Sequence, residues 1–486
     1  MKKISKESSV TFVELPSTQN GSLNGDLSYD IYSRFRLPSR AIHVLEAVLK
    51  NLGWRDVKSI NPIFHGKRGK LNGKNFDRIF NSEILGISAI TRTSPQSIEL
   101  AKLYKLKNPE GIVIAGGPDP TARTEEWLRY ADIVVRGEGE KTLIELFRVL
   151  EGSSDLKDVK GISFKLNGNI FHNDKRELMT SEELSNLPHP YYNEETRSRV
   201  YASVIETARG CPNDCDFCSV TQTYGRRYRN KSIKYVLEEL RRTKGIGKVT
   251  FFTADNLAGS EENVIELLKA IVDSGLQTKG RSMQAQVTVK AAKNPRLLNA
   301  LRKAGIDTLY VGFESNNDDT LRDLNKPYTA KENDEAAKTF RKYGFWLHGM
   351  MMPGGDGDTP ESLNKMSRWI NENLDSVQLF PPTPFPGTRF FEKMKKEGRI
   401  LTDDYSLYDA QHVVIRPKNF SPYELQLRVN KMYKDFYSFK FGLSRLRKSP
   451  KLKPALTLMA YFLLKGKKVL YDNQSRQHLI FLKSVS

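Results

Sequence analysis

Between residues 39 and 150, short apolar runs alternate with stretches whose apolar positions recur at helical spacing. The segment SRAIHVLEAVLKNL (39–52) has that spacing and breaks at Gly53-Trp54, which predicts a helix. ILGISAI (84–90) reads as a buried strand ending in Thr91, Thr93 and Ser94, followed by a helix over 95–105. GIVIAGG (111–117) is a second such run, closed by Gly116-Gly117-Pro118. ADIVVRGEGE (131–140) is a third, leading into a helix over 140–150. Apolar strands alternating with helices predict an α/β fold with a doubly wound parallel sheet and ligands at the carboxyl ends of its strands. The glycine turn and the GEGE turn fall at those ends, which marks a ligand crevice without naming the ligand.

From 151 to 197 the pattern changes. GISFKLNGNIFHN alternates with period two about Leu-Asn-Gly and predicts a hairpin, and LSNLPHPYYNEE reads as a linker. A second series of apolar strands then runs YASVIETARG, KVTFFTADN, SMQAQVTV, TLYVGFES, WLHGMMMPGG and SVQLFPPTPFPG. Helical stretches at 232–243, 260–274, 294–304, 331–343 and 360–373 separate them. Six strand–helix units with polar or glycine ends predict a partial (β/α)6 barrel with its chemistry at the strand C-terminal ends. The expected organisation is a doubly wound domain over 1–150, a hairpin and linker over 151–197, the partial barrel over 198–397, and a helical basic region over 398–486.

At 486 residues and 55.4 kDa the chain is too long for one ordinary core. Its net charge of +20 favours an anionic partner, nucleic acid or a phospholipid surface, without choosing between them. From Ser421 onward, fourteen lysines and arginines face only Glu424, Asp435 and Asp472. Within that tail, cations between Arg445 and Lys453 run into ALTLMAYFLL and then KGKK. Such a segment either lies in a membrane interface, with Lys and Arg reaching phosphates, or forms a C-terminal helix packed on the body. No apolar run approaches the roughly twenty residues of a spanning helix, and the basic N-terminus lacks the apolar core of a secretory signal. Three cysteines rule out a disulfide framework, and the expected location is a reducing cytoplasm, peripheral at the membrane if the tail takes the interfacial alternative.

Those three cysteines all lie in Arg209-Gly-Cys211-Pro-Asn-Asp-Cys215-Asp-Phe-Cys218, spaced CxxxCxxC on the loop leaving the first barrel strand. A structural zinc wants four ligands, and no histidine or fourth cysteine is near in sequence. Three thiolates suit an iron–sulfur cluster with one iron open to a substrate or cofactor.

CxxxCxxC on the first strand–helix loop of a partial barrel resembles the radical S-adenosylmethionine (SAM) superfamily. The resemblance implies that Cys211, Cys215 and Cys218 hold a [4Fe-4S] cluster whose open iron binds the amino and carboxylate groups of SAM. It also implies that an electron from the cluster releases a 5′-deoxyadenosyl radical, which abstracts hydrogen from an unactivated carbon. Phe217 matches an aromatic that shields the cluster or the adenine in that family, or is an ordinary core residue. GIVIAGGPDPTARTEEWLRYADIVVRGEGE resembles the cobalamin-binding N-terminal domain of one branch. LPHPYY, CDFCSVTQTYGRRYRNKS, FFTADN, GFES and PPTPFPGTRFFEKMKKEGRI resemble its linker, barrel and exit segments. That branch includes hopanoid methylases and the anaerobic Mg-protoporphyrin ester cyclase.

The chain departs from the branch in lacking DxHxxG, the lower-ligand motif of histidine-on cobalamin domains. Its nearest candidate is Asn61-Pro-Ile-Phe-His65-Gly66. Bound cobalamin is therefore expected without a histidine on cobalt, resting on Ser88, Thr91 and the Gly116-Gly117 turn. The alternative is a domain that has lost the corrinoid and caps the barrel. In the barrel, the resemblance assigns Glu314 of GFES to the SAM ribose or amino group, and Asp255 and Asn256 are candidates for the SAM ammonium. Gln284 and Gln286, two apart on one strand, are expected to point inward, with His348 and Tyr310 as further candidates. Arg227 and Arg229 either pair with a carboxylate or phosphate or are plain surface. Pro381, Pro384 and Pro386 read as a rigid wall.

Two function classes follow. One is radical modification of a lipid-like or small apolar substrate, by cobalamin-assisted methyl transfer or C–C bond formation, with a reductant such as flavodoxin or ferredoxin. The other is modification of RNA or another anionic substrate without cobalamin. Against the second, the chain has no extra cysteines for a second cluster and no recognisable RNA-binding appendage.

Overall fold

The computed structural model describes residues 4–28, 36–153, 155–277, 281–438 and 473–486. The basic apolar stretch at 445–468 lies outside the described residues. The chain divides into two compact units, Met1–Ile205 with Gln222–Val249, and Glu206–Thr221 with Thr250–Ser486.

The first unit is built on strands β1 (Val10–Val13), β2 (Val57–Ile60), β3 (Ile84–Ser88), β4 (Ile112–Gly116), β5 (Ile133–Val135), β6 (Ile162–Leu166) and β7 (Asn169–His172). Their order is β2-β1-β3-β4-β5-β6-β7. The first five are parallel, and the expected hairpin β6–β7 joins β5 antiparallel, extending the sheet at its edge. The strands read as unbroken apolar runs because both faces are covered. Ile84, Ile112, Ile114 and Ile133 pack with the helices Arg40–Asn51 and Gly139–Leu150. Leu85, Ile87, Val113 and Val134 pack on the other face with Leu100 and Tyr104 of the helix Ser94–Lys107.

Two of the strands, the edge strand β2 and its neighbour β1, are invisible to periodicity. β1 and β2 have four residues each, and β1 is polar at Thr11, which is buried with its hydroxyl 2.6 Å from Ser82 Oγ. The helix Gly73–Phe80 was likewise unmarked in the sequence. The LPHPYY segment is tied down. Tyr191 N donates to the carbonyl of His43 at 3.1 Å, and Lys50 Nζ stands 3.6 Å over the Tyr191 ring.

The later strands are β8 (Ala202–Ile205), the two-residue β9 (Ala208–Arg209) and β10 (Arg229–Asn230), β11 (Val249–Phe252), β12 (Ser282–Val287), β13 (Ile306–Glu314), β14 (Trp346–Met351) and β15 (Ser376–Leu379). All six expected barrel strands are present, in the sequential order β8-β11-β12-β13-β14-β15 of an open sheet. β12 through β15 pair in parallel. The intervening helices Ile233–Arg242, Glu261–Asp273, Pro295–Lys303, Ala330–Lys342 and Pro360–Asn373 fall where helical spacing placed them. Several start on side-chain caps the sequence supplies. Asn294, Thr329 and Thr359 accept from the backbone N–H groups of Leu297, Glu332 and Ser362. Beyond them, helix Pro422–Phe436 and helix Asn473–Ser484 both belong to the second unit. The last helix is anchored by buried Leu482 and by His478 Nε2, which donates to the Val413 carbonyl at 2.9 Å. Among the described residues, no helix is long and apolar enough to cross a membrane.

Candidate functional site

In the first unit the strand order reverses at β1 and β3, and a doubly wound sheet opens its ligand crevice beyond the carboxyl ends at such a reversal. Register carries Ser88 opposite Gly116, and Gly116 opposite Val135, so two of the expected cobalamin residues share one row. Glu14, the residue after β1, was not anticipated. Its carboxylate accepts from Ser39 Oγ at 2.5 Å and Ser88 Oγ at 3.3 Å, and burial pushes its pKa up. Thr91 is buried and its hydroxyl bonds Asp119, whereas the intervening Ile90 is 42% exposed. Ile90 is thus an apolar platform between two polar positions.

Gly117 has φ of +103°, and a Cβ there would stand 2.6 Å from the Ala89 carbonyl oxygen. Only glycine fits, so the turn after β4 lies flat against the end of β3. This cradle and the exposed Ile90 fit a large, flat, partly apolar ring. His65 has no free nitrogen to offer cobalt. Its Nδ1 accepts from Asn61 N at 3.0 Å, its Nε2 lies 3.0 Å from Thr196 Oγ1, and burial lowers its pKa.

Asp119, two residues beyond Gly117, accepts from Trp127 Nε1 at 2.7 Å. Burial pushes its pKa up to about 6, against an opposing pull from Arg123. A carboxyl raised on folding holds more protons in the folded state, so its contribution to stability falls as pH rises through the window from about 4 to 6. The stability of Asp119→Asn relative to the native chain is expected to increase across that window in denaturant melts of the full chain, and a pH-independent difference would refute the assignment.

In the second unit the cysteine loop is held from several sides. Asp255 Oδ2 accepts from Gly210 N at 3.0 Å, fixing the backbone immediately before Cys211. Arg389 donates to Asp214 Oδ1 at 2.9 Å and to Asp216 Oδ1 at 2.6 Å, and Asn325 Nδ2 donates to the Asp214 carbonyl at 2.7 Å. Phe217 packs against Phe390, Met394 and Ile415. All three cysteines are free thiols, and burial pushes each pKa up, that of Cys218 to about 11. Among the described residues, no three His, Cys, Asp or Glu side chains converge as ligands of a single ion. A four-iron cluster does not need that convergence, because each thiolate takes a different iron.

Glu314 ends β13 at φ +60°, a left-handed conformation that costs a non-glycine residue about 1 kcal/mol. Strain of this kind collects at functional sites. Its carboxylate receives Lys326 Nζ at 2.8 Å, and both side chains are about nine-tenths buried. Asn256 is buried and its Oδ1 lacks a partner, an open acceptor beside Asp255 that fits an ammonium such as that of SAM.

Register also aligns Gln286, Tyr310, His348 and Ser376 in one row across β12 to β15. Tyr310 Oη donates to Gln284 Oε1 at 3.1 Å, and its ring lies 4.4 Å from that of His348. Trp346 Nε1 donates to Ser376 Oγ, which in turn bonds His348 Nδ1 at 2.8 Å, while His348 Nε2 faces Gln378 Oε1 at 3.0 Å. Burial lowers the His348 pKa to about 4, so the ring is neutral near pH 7. The expected inward set is brought together on one sheet face.

The two arginines separate. Arg227 is exposed, whereas Arg229 is buried in the first unit and spent on the chain itself. Its Nη1 binds both oxygens of Glu138 at 3.0 and 2.9 Å and the Met179 carbonyl at 2.6 Å. Arg229 is therefore a clamp on the GEGE turn. Pro381, Pro384 and Pro386 are buried, as a wall requires.

Comparison with known families agrees with this geometry. The radical SAM superfamily matches residues 205–370, and a B12 binding domain matches 31–147. The chain belongs to the radical SAM superfamily and carries a B12-binding domain ahead of its radical SAM domain. It is an enzyme of the cobalamin-dependent kind, with a [4Fe-4S] cluster, SAM and cobalamin as cofactors. It is 29% identical over 370 residues to an uncharacterized methyltransferase of Pyrococcus horikoshii, covering 74% of this chain and 79% of that protein. It is 29% identical over 331 residues to the hopanoid C-3 methylase of Methylococcus capsulatus, covering 66% of this chain and 62% of that protein. The cobalamin-dependent SAM radical enzyme OxsB, solved with aqua-cobalamin and SAM bound, shares the fold at TM-score 0.71 and 15% identity, over 99% of this chain and 75% of that one.

Lys326, Asn325 and Arg389 were missed by sequence reasoning. NKPY carries no spacing signal, and an arginine in FPGTRFF reads as surface until the loop it clamps is seen.

Proposed function

We propose that the protein is a cobalamin-dependent radical SAM methyltransferase that adds a methyl group to an unactivated carbon of a lipid-like or small apolar substrate. The carrying observation is the presence in one chain of a braced three-cysteine loop and a glycine-floored, partly apolar crevice at the switch point of a B12-binding sheet. When bound, the cluster supplies the electron that cleaves SAM, and cobalamin supplies a methyl carrier. Cys211, Cys215 and Cys218 would hold the cluster, with Phe217 covering its loop and Asp255 fixing the loop's entry. Asn256 and Glu314 would receive the amino or ribose groups of SAM. Ser88, Ile90, Thr91, Gly116 and Gly117 would seat the corrin without a histidine on cobalt. The row Gln286, Tyr310 and His348 would line the reaction space with neutral donors and acceptors, which suits an uncharged substrate. The barrel is assigned to residues 198–397 and the corrinoid domain to 1–150.

The methylase name of the hopanoid relative supports the apolar substrate class. Lipid extracts from cells with and without the protein should differ by a species heavier by one methylene, detected by mass spectrometry. Unchanged lipids together with a missing RNA modification would replace this reading by the RNA one.

The cations between residues 445 and 468 are proposed to hold the enzyme at an anionic membrane surface, each contributing about 1 kcal/mol. Because helix Asn473–Ser484 anchors in the second unit, the test exchanges those cations for glutamine and leaves the terminus in place. The native chain is expected to sediment with anionic liposomes, less so as salt rises, and the exchanged chain not to. Equal sedimentation of the two would refute a role for these cations.

A further inference from the structure

Lys326 is a buried cation beside the cysteine loop with no part in the reading given above. Its Nζ donates to Glu314 Oε1 at 2.8 Å and stands 5.0 Å from the ring centroid of Phe217, the residue between Cys215 and Cys218. The side chain is 8% exposed, so water screens its charge little. The backbone holds it in place from both directions. Lys326 N donates to the Leu321 carbonyl at 2.9 Å, and the preceding Asn325 reaches the Asp214 carbonyl inside the loop. Tyr328 Oη donates to the Gly312 carbonyl, fixing the chain two residues on.

We propose that Lys326 sets the reduction potential of the cluster carried by Cys211, Cys215 and Cys218, with Glu314 as the counter-charge that moderates it. Charge near the sulfurs and solvent exclusion are among the levers that move an iron–sulfur potential. A reduced cluster carries one more negative charge than an oxidised one, so a fixed buried cation favours the reduced form and raises the potential. A carboxylate at the same place does the reverse. Lys326 Nζ lies against the ring of Phe217 within the loop itself, and Glu314 is held on the far end of the same ion pair, so the cation is the charge presented to the loop. An ion pair with a strained carboxylate partner is a costly thing to bury, and replacing buried pairs by neutral groups is often tolerated. Stability alone does not call for it here.

The inference rests on the cluster assignment, and its test separates the two. Anaerobically reconstituted full-length enzyme, without SAM, is titrated with dithionite and redox mediators while the reduced cluster is followed by electron paramagnetic resonance. Lys326→Gln should lower the reduced-to-oxidised ratio at fixed poise at least tenfold, which is 59 mV for a one-electron couple. Glu314→Gln should raise it, the double variant should fall between, and Lys326→Arg should restore the native value because arginine keeps its charge. A general loosening of the site would not move the two single variants in opposite directions. If Lys326→Gln fails to assemble a cluster, Glu314→Gln still decides the sign. Four irons in each variant with potentials unchanged would overturn this inference alone, and no iron–sulfur signal in the native chain would overturn the cluster assignment beneath it.

Discussion

Replacing any one of Cys211, Cys215 or Cys218 by alanine is expected to abolish SAM cleavage and the sulfur-to-iron charge-transfer absorbance. The native chain, reconstituted without oxygen, should hold about four irons and four sulfides. The loss should be complete because the loop has no spare ligand. The chain contains three cysteines, all in this loop. The bracing by Asp255, Arg389 and Asn325 does not depend on the sulfurs, so the alanine variants should remain folded and soluble. Circular dichroism alongside iron analysis checks both statements. Stoichiometric zinc without iron in anaerobically purified protein would contradict the cluster assignment.

Gly117→Ala is expected to abolish stable cobalamin retention while leaving the iron content unchanged. The substitution forces an L-residue to φ +103° and drives a methyl group to 2.6 Å from the Ala89 carbonyl oxygen. That contact is with backbone and cannot be relieved by a side-chain rotation, so the turn must move away from the end of β3. Gly117 lies in an extended positive-φ region essentially restricted to glycine, which costs another residue about 1–3 kcal/mol before the clash is counted. His65→Ala is the paired control. Both His65 nitrogens are engaged by Asn61 and Thr196, so its removal should leave the visible spectrum of bound cobalamin unchanged. A spectral shift to a ligand-free cobalt in His65→Ala would show that the histidine leaves those partners to bind the metal. Retention of cobalamin by Gly117→Ala at the native level would place the corrin elsewhere.

The architecture was legible in the sequence wherever a strand is buried on both faces or a helix carries a regular apolar stripe. ILGIS, IVIAG and the six barrel strands announced themselves in this way. β1 did not, because a four-residue strand containing a buried threonine has too few positions to show a period, and with it went Glu14 and the location of the switch point. The cysteines were legible because their spacing is specific. Lys326 was not, because a lysine in a polar turn is indistinguishable from surface until the chain brings it beneath Phe217 and onto Glu314. Arg229 reads in the sequence either as pairing with a carboxylate or phosphate or as plain surface, and the fold buries it on the carboxylate of Glu138 in the GEGE turn.

The account stands most directly on the fate of the SAM methyl group. Enzyme carrying both cluster and cobalamin would be incubated without oxygen with a reductant, methyl-deuterated SAM and a lipid extract from cells lacking the protein. The account predicts formation of 5′-deoxyadenosine together with transfer of the deuterated methyl group to one apolar product, both lost in Cys215→Ala. Formation of 5′-deoxyadenosine with a modified product that carries no label would contradict methyl transfer and assign the enzyme to bond formation.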